Sequence, residues 1–151
     1  MHIITDDDPR LRMVCAPIEP EEFGQQSLHQ LAAGMLSTMI TARGVGLAAP
    51  QVGVLKRLIV VLDLNTTATM ILCNPKIVNV QGQSMVAEGC LSLPNATRSI
   101  IPGRGSRVRV EAQRLDGSGI IFTAREILAV GIQHEVDHLE GVLFTDRLAN
   151  H

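Results

Sequence analysis

The chain has 151 residues, is 46% hydrophobic, and sets 13 Lys and Arg against 15 Asp and Glu for a net charge of −2 with histidine neutral. That length suits one domain with its own core, and a near-neutral chain has no bulk field to draw it to nucleic acid or a membrane surface. With no Trp or Tyr and only 3 Phe, the core must be aliphatic, and stacking on nucleic-acid bases is not an expected function.

The N-terminus is polar, with Asp6, Asp7 and Asp8 in a row, the opposite of a secretion signal. The longest apolar run, residues 58–62, is far too short for a bilayer. A cytoplasmic protein without membrane contact is expected. Cys15, Cys73 and Cys90 are odd in number and fit no disulfide framework. In a reducing compartment each is worth testing as a ligand or nucleophile.

Residues 5–20 read as irregular, broken by Pro9, Pro17 and Pro20. A helix is predicted over 27–43, with Leu28, Leu31, Ala32, Met35, Leu36 and Met39 as its apolar stripe. Ser27 is the expected N-cap and Gly44 the expected stop. Residues 44–51 (GVGLAAPQ) are small, so backbone can approach a neighbour closely. Gln51 is the one polar side chain among them. Buried strands are predicted at 58–62 and 70–73, the second ending at Asn74-Pro75, and another at 76–80. Residues 107–111 alternate as a half-buried antiparallel strand, Asp116-Gly117 marks a hairpin, and 120–123 form the return strand. Arg98, Arg104, Arg107, Arg109 and Arg114 make the middle locally basic and read as solvated strand faces.

The segment His134-Glu135-Val136-Asp137-His138 lies in a helical pattern, with Ile127, Leu128, Val130, Ile132, Val136 and Leu139 as its apolar positions and Gly141 as its stop. Histidines four apart on a helix share one face. With Glu135 between them they make an HExxH arrangement, two metal ligands and a general base. Cys90, in the turn Glu88-Gly89-Cys90, is the best third ligand. Two imidazoles and a thiolate leave one position open, as in catalytic sites, and the soft thiolate suits Zn or Fe(II). Cys15 has no companion motif, and Cys73 reads as core.

Three segments, GVGLAAPQ (44–51), EGCLSLP (88–94) and QHEVDHLEG (133–141), stand in this order. Together with Asp8-Pro9-Arg10-Leu11-Arg12 and the Leu-Phe-Thr-Asp that follows Gly141, they resemble the peptide deformylase family across essentially the whole chain. The expected architecture is a single α+β domain over 1–151, with antiparallel strands wrapped around a central metal-binding helix. The resemblance implies hydrolysis of the N-formyl group of formyl-methionine on newly made polypeptides, with release of formate. By that resemblance Cys90, His134 and His138 hold one divalent ion, natively Fe2+, with Zn2+, Ni2+ or Co2+ as substitutes. Glu135 is then the proton carrier, and the Gln51 side chain and Leu91 backbone N–H face the oxyanion. Val45, Gly46, Val86, Leu91, Val130 and Gly131 are expected to bind the peptide and its methionine, with the backbone of 44–46 as the strand edge that receives it. Glu88 and Asp137 are expected to orient the site.

The chain departs from the family pattern at several points. Gly131 stands where a larger residue is frequent, which should enlarge the methionine pocket. Arg104 is displaced by one from an arginine often found after a proline, which weakens the expectation that it touches the peptide. The chain resembles short forms without the long C-terminal helix. With the near-neutral net charge, this gives the expectation of a weak or transient ribosome contact; a monomer and no direct nucleic-acid role are expected as well. HExxH also permits a zinc endopeptidase, which the thiolate and companion motifs oppose, or a non-catalytic metal binder, which Glu135 and Gln51 oppose.

Overall fold

The structure is a computed structural model and describes residues 1–149. Its centre is an antiparallel sheet. Helix α1 (Gln26–Thr41) precedes strands β1 (Gly46–Ala48), β2 (Leu58–Leu62) and β3 (Thr69–Gln81). A short pair, β4 (Ala87–Glu88) and β5 (Ser99–Ile100), comes next, then β6 (Arg107–Gln113) and β7 (Gly119–Arg125). Helices α2 (Glu126–Leu139) and α3 (Phe144–Ala149) close the chain. The main sheet runs β1-β2-β3-β6-β7, every neighbour antiparallel, and β4 pairs with β5 separately. The α+β class and antiparallel strands are as the sequence predicts.

Alternation along β2 explains the layers. Successive strand residues face opposite sides. Leu58 and Val60 pack with Leu28, Ala32, Met35 and Met39 of α1. Ile59 and Val61 pack with Ala129, Ile132 and Leu139 of α2. The β1–β2 part of the sheet is thus buried between two helices, which is why β2 reads as an unbroken apolar run. Further along, β6 alternates cleanly, with Val108, Val110 and Ala112 buried and Arg107, Arg109 and Glu111 exposed. A third cluster of Ile4, Leu11, Leu93, Ile101, Leu143 and Phe144 joins the N-terminal segment and α3 to the loop after Cys90.

Several local expectations are corrected. Gln25, not Ser27, caps α1, and no side chain bonds the helix end. Arg43, not Gly44, takes the left-handed turn that ends it, at φ 58°. Gly44 is small for a different reason, since a Cβ there would lie 2.8 Å from Leu91 Cδ1. The strands expected at 70–73 and 76–80 are one strand with a bulge. Asn74 has φ 48° and the register to β6 shifts between Cys73 and Lys76. Pro75 cannot donate to the ladder, so it fits where the pairing is interrupted. The Asn74 amide fixes the kink by accepting from Ile18 N–H at 2.8 Å and donating to Gln113 Oε1 at 2.8 Å. Ile127, counted in the stripe of α2, is exposed. Gly141 does end the helical region, at φ 73°, where a Cβ would meet Arg12 O at 2.5 Å. Among the described residues no helix is long and apolar enough to cross a membrane.

Candidate active site

Helix α2 turns an unusually polar face inward. His134, Glu135, Asp137 and His138 are all buried. The two imidazoles lie on consecutive turns with ring centroids 5.0 Å apart. Cys90 arrives from the turn after β4 and puts its Sγ 3.4 Å from His138 Nε2. One donor atom from each of Cys90, His134 and His138 lies within 4.8 Å of the other two.

The surroundings of these groups fit a cation. Glu88 Oε1 sits 2.8 Å from His134 Nδ1, leaving the other ring nitrogen for a ligand. Burial would lower the His134 pKa. The Glu135 carboxylate and hydrogen bonds to Cys90 and Glu88 outweigh it and push the ring up to about 10. The negative groups around this ring favour a cation there, and an ion bound to it would take the place of that proton. Burial, with the charges of His134 and Arg104, holds His138 well below its ordinary value, so this imidazole stays neutral as a ligand must. Glu135 Oε1 is buried with no hydrogen-bond partner among the described residues. Burial first, then the charges of Glu88 and Asp137, raise that carboxyl to about 7 against the pull of His134 and Arg104. A carboxylate poised near neutrality suits proton transfer.

Behind these groups lies an ion-pair network that the sequence did not disclose. Arg104 Nε and Nη2 donate to Glu88 at 2.7 and 2.9 Å, and Nη1 donates to Asp137 at 2.7 Å. Arg147 adds a two-pronged contact to Asp137, both bonds 2.7 Å. Arg98, Arg107, Arg109 and Arg114 are not deeply buried, but Arg104 is only 4% exposed, which corrects its reading as a solvated strand residue. It leaves strand alternation because the turn at Pro102-Gly103, with Gly103 at φ 80°, points it inward. The available signal was the pair of acids in EGC and HEVDH, which need a cation once buried. Burial alone would raise Glu88. Hydrogen bonds from His134 and Arg104 and the Arg104 charge reverse this and hold its carboxyl below the usual range.

Gln51 links two turns. Its Oε1 accepts from Ala48 N–H at 2.9 Å, while Nε2 donates to Ser92 Oγ at 3.1 Å and lies 3.8 Å from Cys90 Sγ. Ser92, fully buried, is a partner the sequence reading missed. The donors face a cavity of about 450 Å³, and Val45, Gly46, Val86, Leu91, Val130 and Gly131 all line it. A Cβ at Gly131 would meet nothing within 4 Å, so that glycine opens onto space. Among the described residues strand β1 pairs only with β2, leaving its other edge free beside the cavity.

The polypeptide deformylase family model matches residues 1–151. The chain belongs to the peptide deformylase family. A peptide deformylase of Heliobacterium modesticaldum is 43% identical over 148 residues, covering 98% of this chain and 93% of that one. The crystal structure of peptide deformylase from Thermus thermophilus matches with a TM-score of 0.88 at 38% identity, over 97% of this chain and 85% of that chain. The class I type b peptide deformylase of Acinetobacter baumannii bound to Met-Ala-Ser matches with a TM-score of 0.87 at 30% identity, over 97% of both chains. The family comprises metal-dependent hydrolases that remove the N-formyl group from nascent peptides, and this chain is such a hydrolase.

Proposed function

We propose that Cys90, His134 and His138 hold one divalent ion and that Glu135, Gln51 and Leu91 release formate from formyl-methionyl peptides beside it. The observation that carries this reading is the convergence of a thiol and two imidazoles within 4.8 Å, next to a buried carboxylate oxygen without a partner among the described residues. When bound, the ion supplies Lewis acidity, which eases ionisation of water and polarises the formyl carbonyl. Glu135 takes the proton of the attacking water and delivers it to the departing amine. The Gln51 amide and the Leu91 N–H donate to the oxygen that gains charge. The peptide lies along the free edge of β1, its methionine beside Val86, Val130 and Gly131. A formyl carbon carries only hydrogen, so it enters a narrow site that an internal peptide carbonyl cannot.

Thiolate and imidazole donors suit Fe2+ and Zn2+ alike, and membership of the family supports Fe2+ as the native ion, with Zn2+, Ni2+ and Co2+ as substitutes. Residues 1–151 act as one catalytic domain, monomeric and cytoplasmic. The near-neutral net charge supports a transient contact with ribosomes and no direct role on nucleic acid. The test offers formyl-Met-Ala-Ser, acetyl-Met-Ala-Ser and an unblocked peptide to the Fe2+-loaded protein without oxygen. Rapid formate from the first, at most slow turnover of the second and no cleavage of the third are expected. Internal cleavage without formate would overturn the reading in favour of an endopeptidase.

A further inference from the structure

We propose that Arg43 and Arg98 make this chain select formyl-peptides with acidic side chains at the third and fourth residues. The inference rests on the placement of the peptide given above.

The charged side chains of the cavity divide by depth. Glu88, His134 and Glu135 form its floor and are buried. Arg43 and Arg98 line it too, but are exposed. Among the described residues neither arginine has an acidic partner, and no carboxylate other than the two floor groups lines the cavity. Glu88 is already matched by Arg104 and His134. The mouth is therefore cationic on a chain whose net charge is −2.

Both arginines are held at the ends of the walls. On one wall Gly46 touches Glu135 and marks the reacting end. Going back along the chain, Arg43 stands three residues outward from Gly46, in the left-handed turn that ends α1. The Arg43 N–H donates to Ile40 O at 3.0 Å and the Gly44 N–H to Met39 O at 2.9 Å, so this turn is fixed to the end of α1. On the other wall Arg98 Nη2 donates to Ala87 O at 2.8 Å. Its guanidinium lies over Gly89, where a Cβ would be 3.0 Å from Nη1. A peptide with its formyl group at the floor advances about 3.3 Å per residue. Its third and fourth side chains then reach the arginines. Its N-terminus is acylated and brings no positive charge to the mouth.

A cation just past a helix end also stabilises the helix. That role would change the stability of the protein but not its choice of substrate, so the test reads a ratio. The kcat/KM values of formyl-Met-Ala-Asp-Asp-amide, formyl-Met-Ala-Ser-Ser-amide and formyl-Met-Ala-Lys-Lys-amide are compared on the metal-loaded enzyme at low salt. Binding of the deformylated products is measured alongside by calorimetry. Each exposed charge pair is worth about two- to fivefold, so the Asp-Asp peptide should exceed the Lys-Lys peptide by about tenfold or more, mostly through KM. The preference should shrink at 0.5 M salt, an ionic strength at which exposed charges are screened within roughly 4 Å. The double variant Arg43→Glu with Arg98→Glu should reverse the order, whereas Arg114→Glu, on the distant hairpin, should keep it. Equal kcat/KM and equal product binding across the three peptides would overturn the inference and leave the proposed site standing. No formate from any of them would overturn the site reading and this inference with it.

Discussion

Gly46 lies so close over Glu135 that a Cβ on the glycine would sit 2.5 Å from Oε2 and 3.0 Å from Cγ and Cδ. The glycine is not in a left-handed conformation, so alanine is admitted by the backbone and excluded only by the carboxylate. Gly46→Ala should push Glu135 out of position while Cys90, His134 and His138 keep their ion. A displacement of about 1 Å at a reacting group costs about 10²-fold. Formate release should therefore fall by that order with the metal content unchanged. A variant within twofold of the parent would show that Glu135 has room to move without loss.

Arg104 answers two buried carboxylates at once. Arg104→Leu leaves Glu88 and Asp137 in the interior with only His134 and Arg147 to offset them. Removing one partner of a buried pair costs about 3–5 kcal/mol. Chemical denaturation should show a loss of that size. Metal affinity should also fall about 10–100-fold, because Glu88 would no longer be held against His134. Arg104→Lys should rescue little, since one ammonium cannot reproduce a planar fork that reaches two acids. A stability change under about 1 kcal/mol, the range of a surface pair, or metal affinity equal to the parent's, would show that the network is dispensable.

The same arginine marks the limit of what the sequence discloses. His134, Glu135 and His138 were legible because helical spacing alone sets them on one face. The approach of Cys90 to the two imidazoles was legible because a thiol in a glycine turn is free to meet them. The strand at 58–62 was legible because a strand buried on both faces needs an unbroken apolar run. Arg104 and Ser92 were not, because their roles depend on contacts with groups 33 and 41 residues away. No local periodicity records such contacts. The bulge at Asn74 was hidden for a related reason. Asn-Pro reads as a strand end, and only pairing with Ile18 and Gln113 turns it into a kink within one strand. The cap of α1 failed because tertiary packing of its apolar stripe overrides a local capping preference.

The three thiols should separate cleanly in their chemistry. Burial pushes Cys15 and Cys73 up to about 11, with the Glu140 charge adding to it at Cys15 and Arg57 opposing. Both should resist iodoacetamide in the folded, metal-free protein at pH 8, while Cys90, partly exposed in the cavity, is alkylated. An ordinary thiol ionises at 9.0. The stability that comes from keeping Cys15 and Cys73 neutral is thus complete below pH 9 and disappears as the pH rises through 11. Denaturation midpoints should fall across that window, and less steeply for Cys15→Ala. Cys90→Ala should lose its ion, and Cys73→Ala should keep it. Full metal occupancy in Cys90→Ala would remove the thiolate from the ligand set.

Glu135→Gln isolates proton transfer from everything else the site does. The amide has nearly the shape of the carboxylate, so the contact with Gly46 and the place on α2 are preserved. The change removes the basic oxygen that has no protein partner among the described residues. If Glu135 carries both protons, from water to the leaving amine, turnover should fall by at least about 10²–10⁴-fold. KM and metal content should stay near the parent's, because the lost interaction is made only in the transition state. The variant should also gain stability, since it no longer buries a group whose carboxyl is driven up to about 7 by burial and the charges of Glu88 and Asp137. The gain should grow with pH from about 4.5, where the unfolded chain ionises this carboxyl, and level off above about 7, where the folded parent does too. Melting temperature of the metal-free proteins and formate release by the metal-loaded ones, each measured from about pH 5 to 9, a window that brackets the raised carboxyl, separate the two effects. A variant that hydrolyses formyl-Met-Ala-Ser at a near-parent rate would assign the proton transfers to another group.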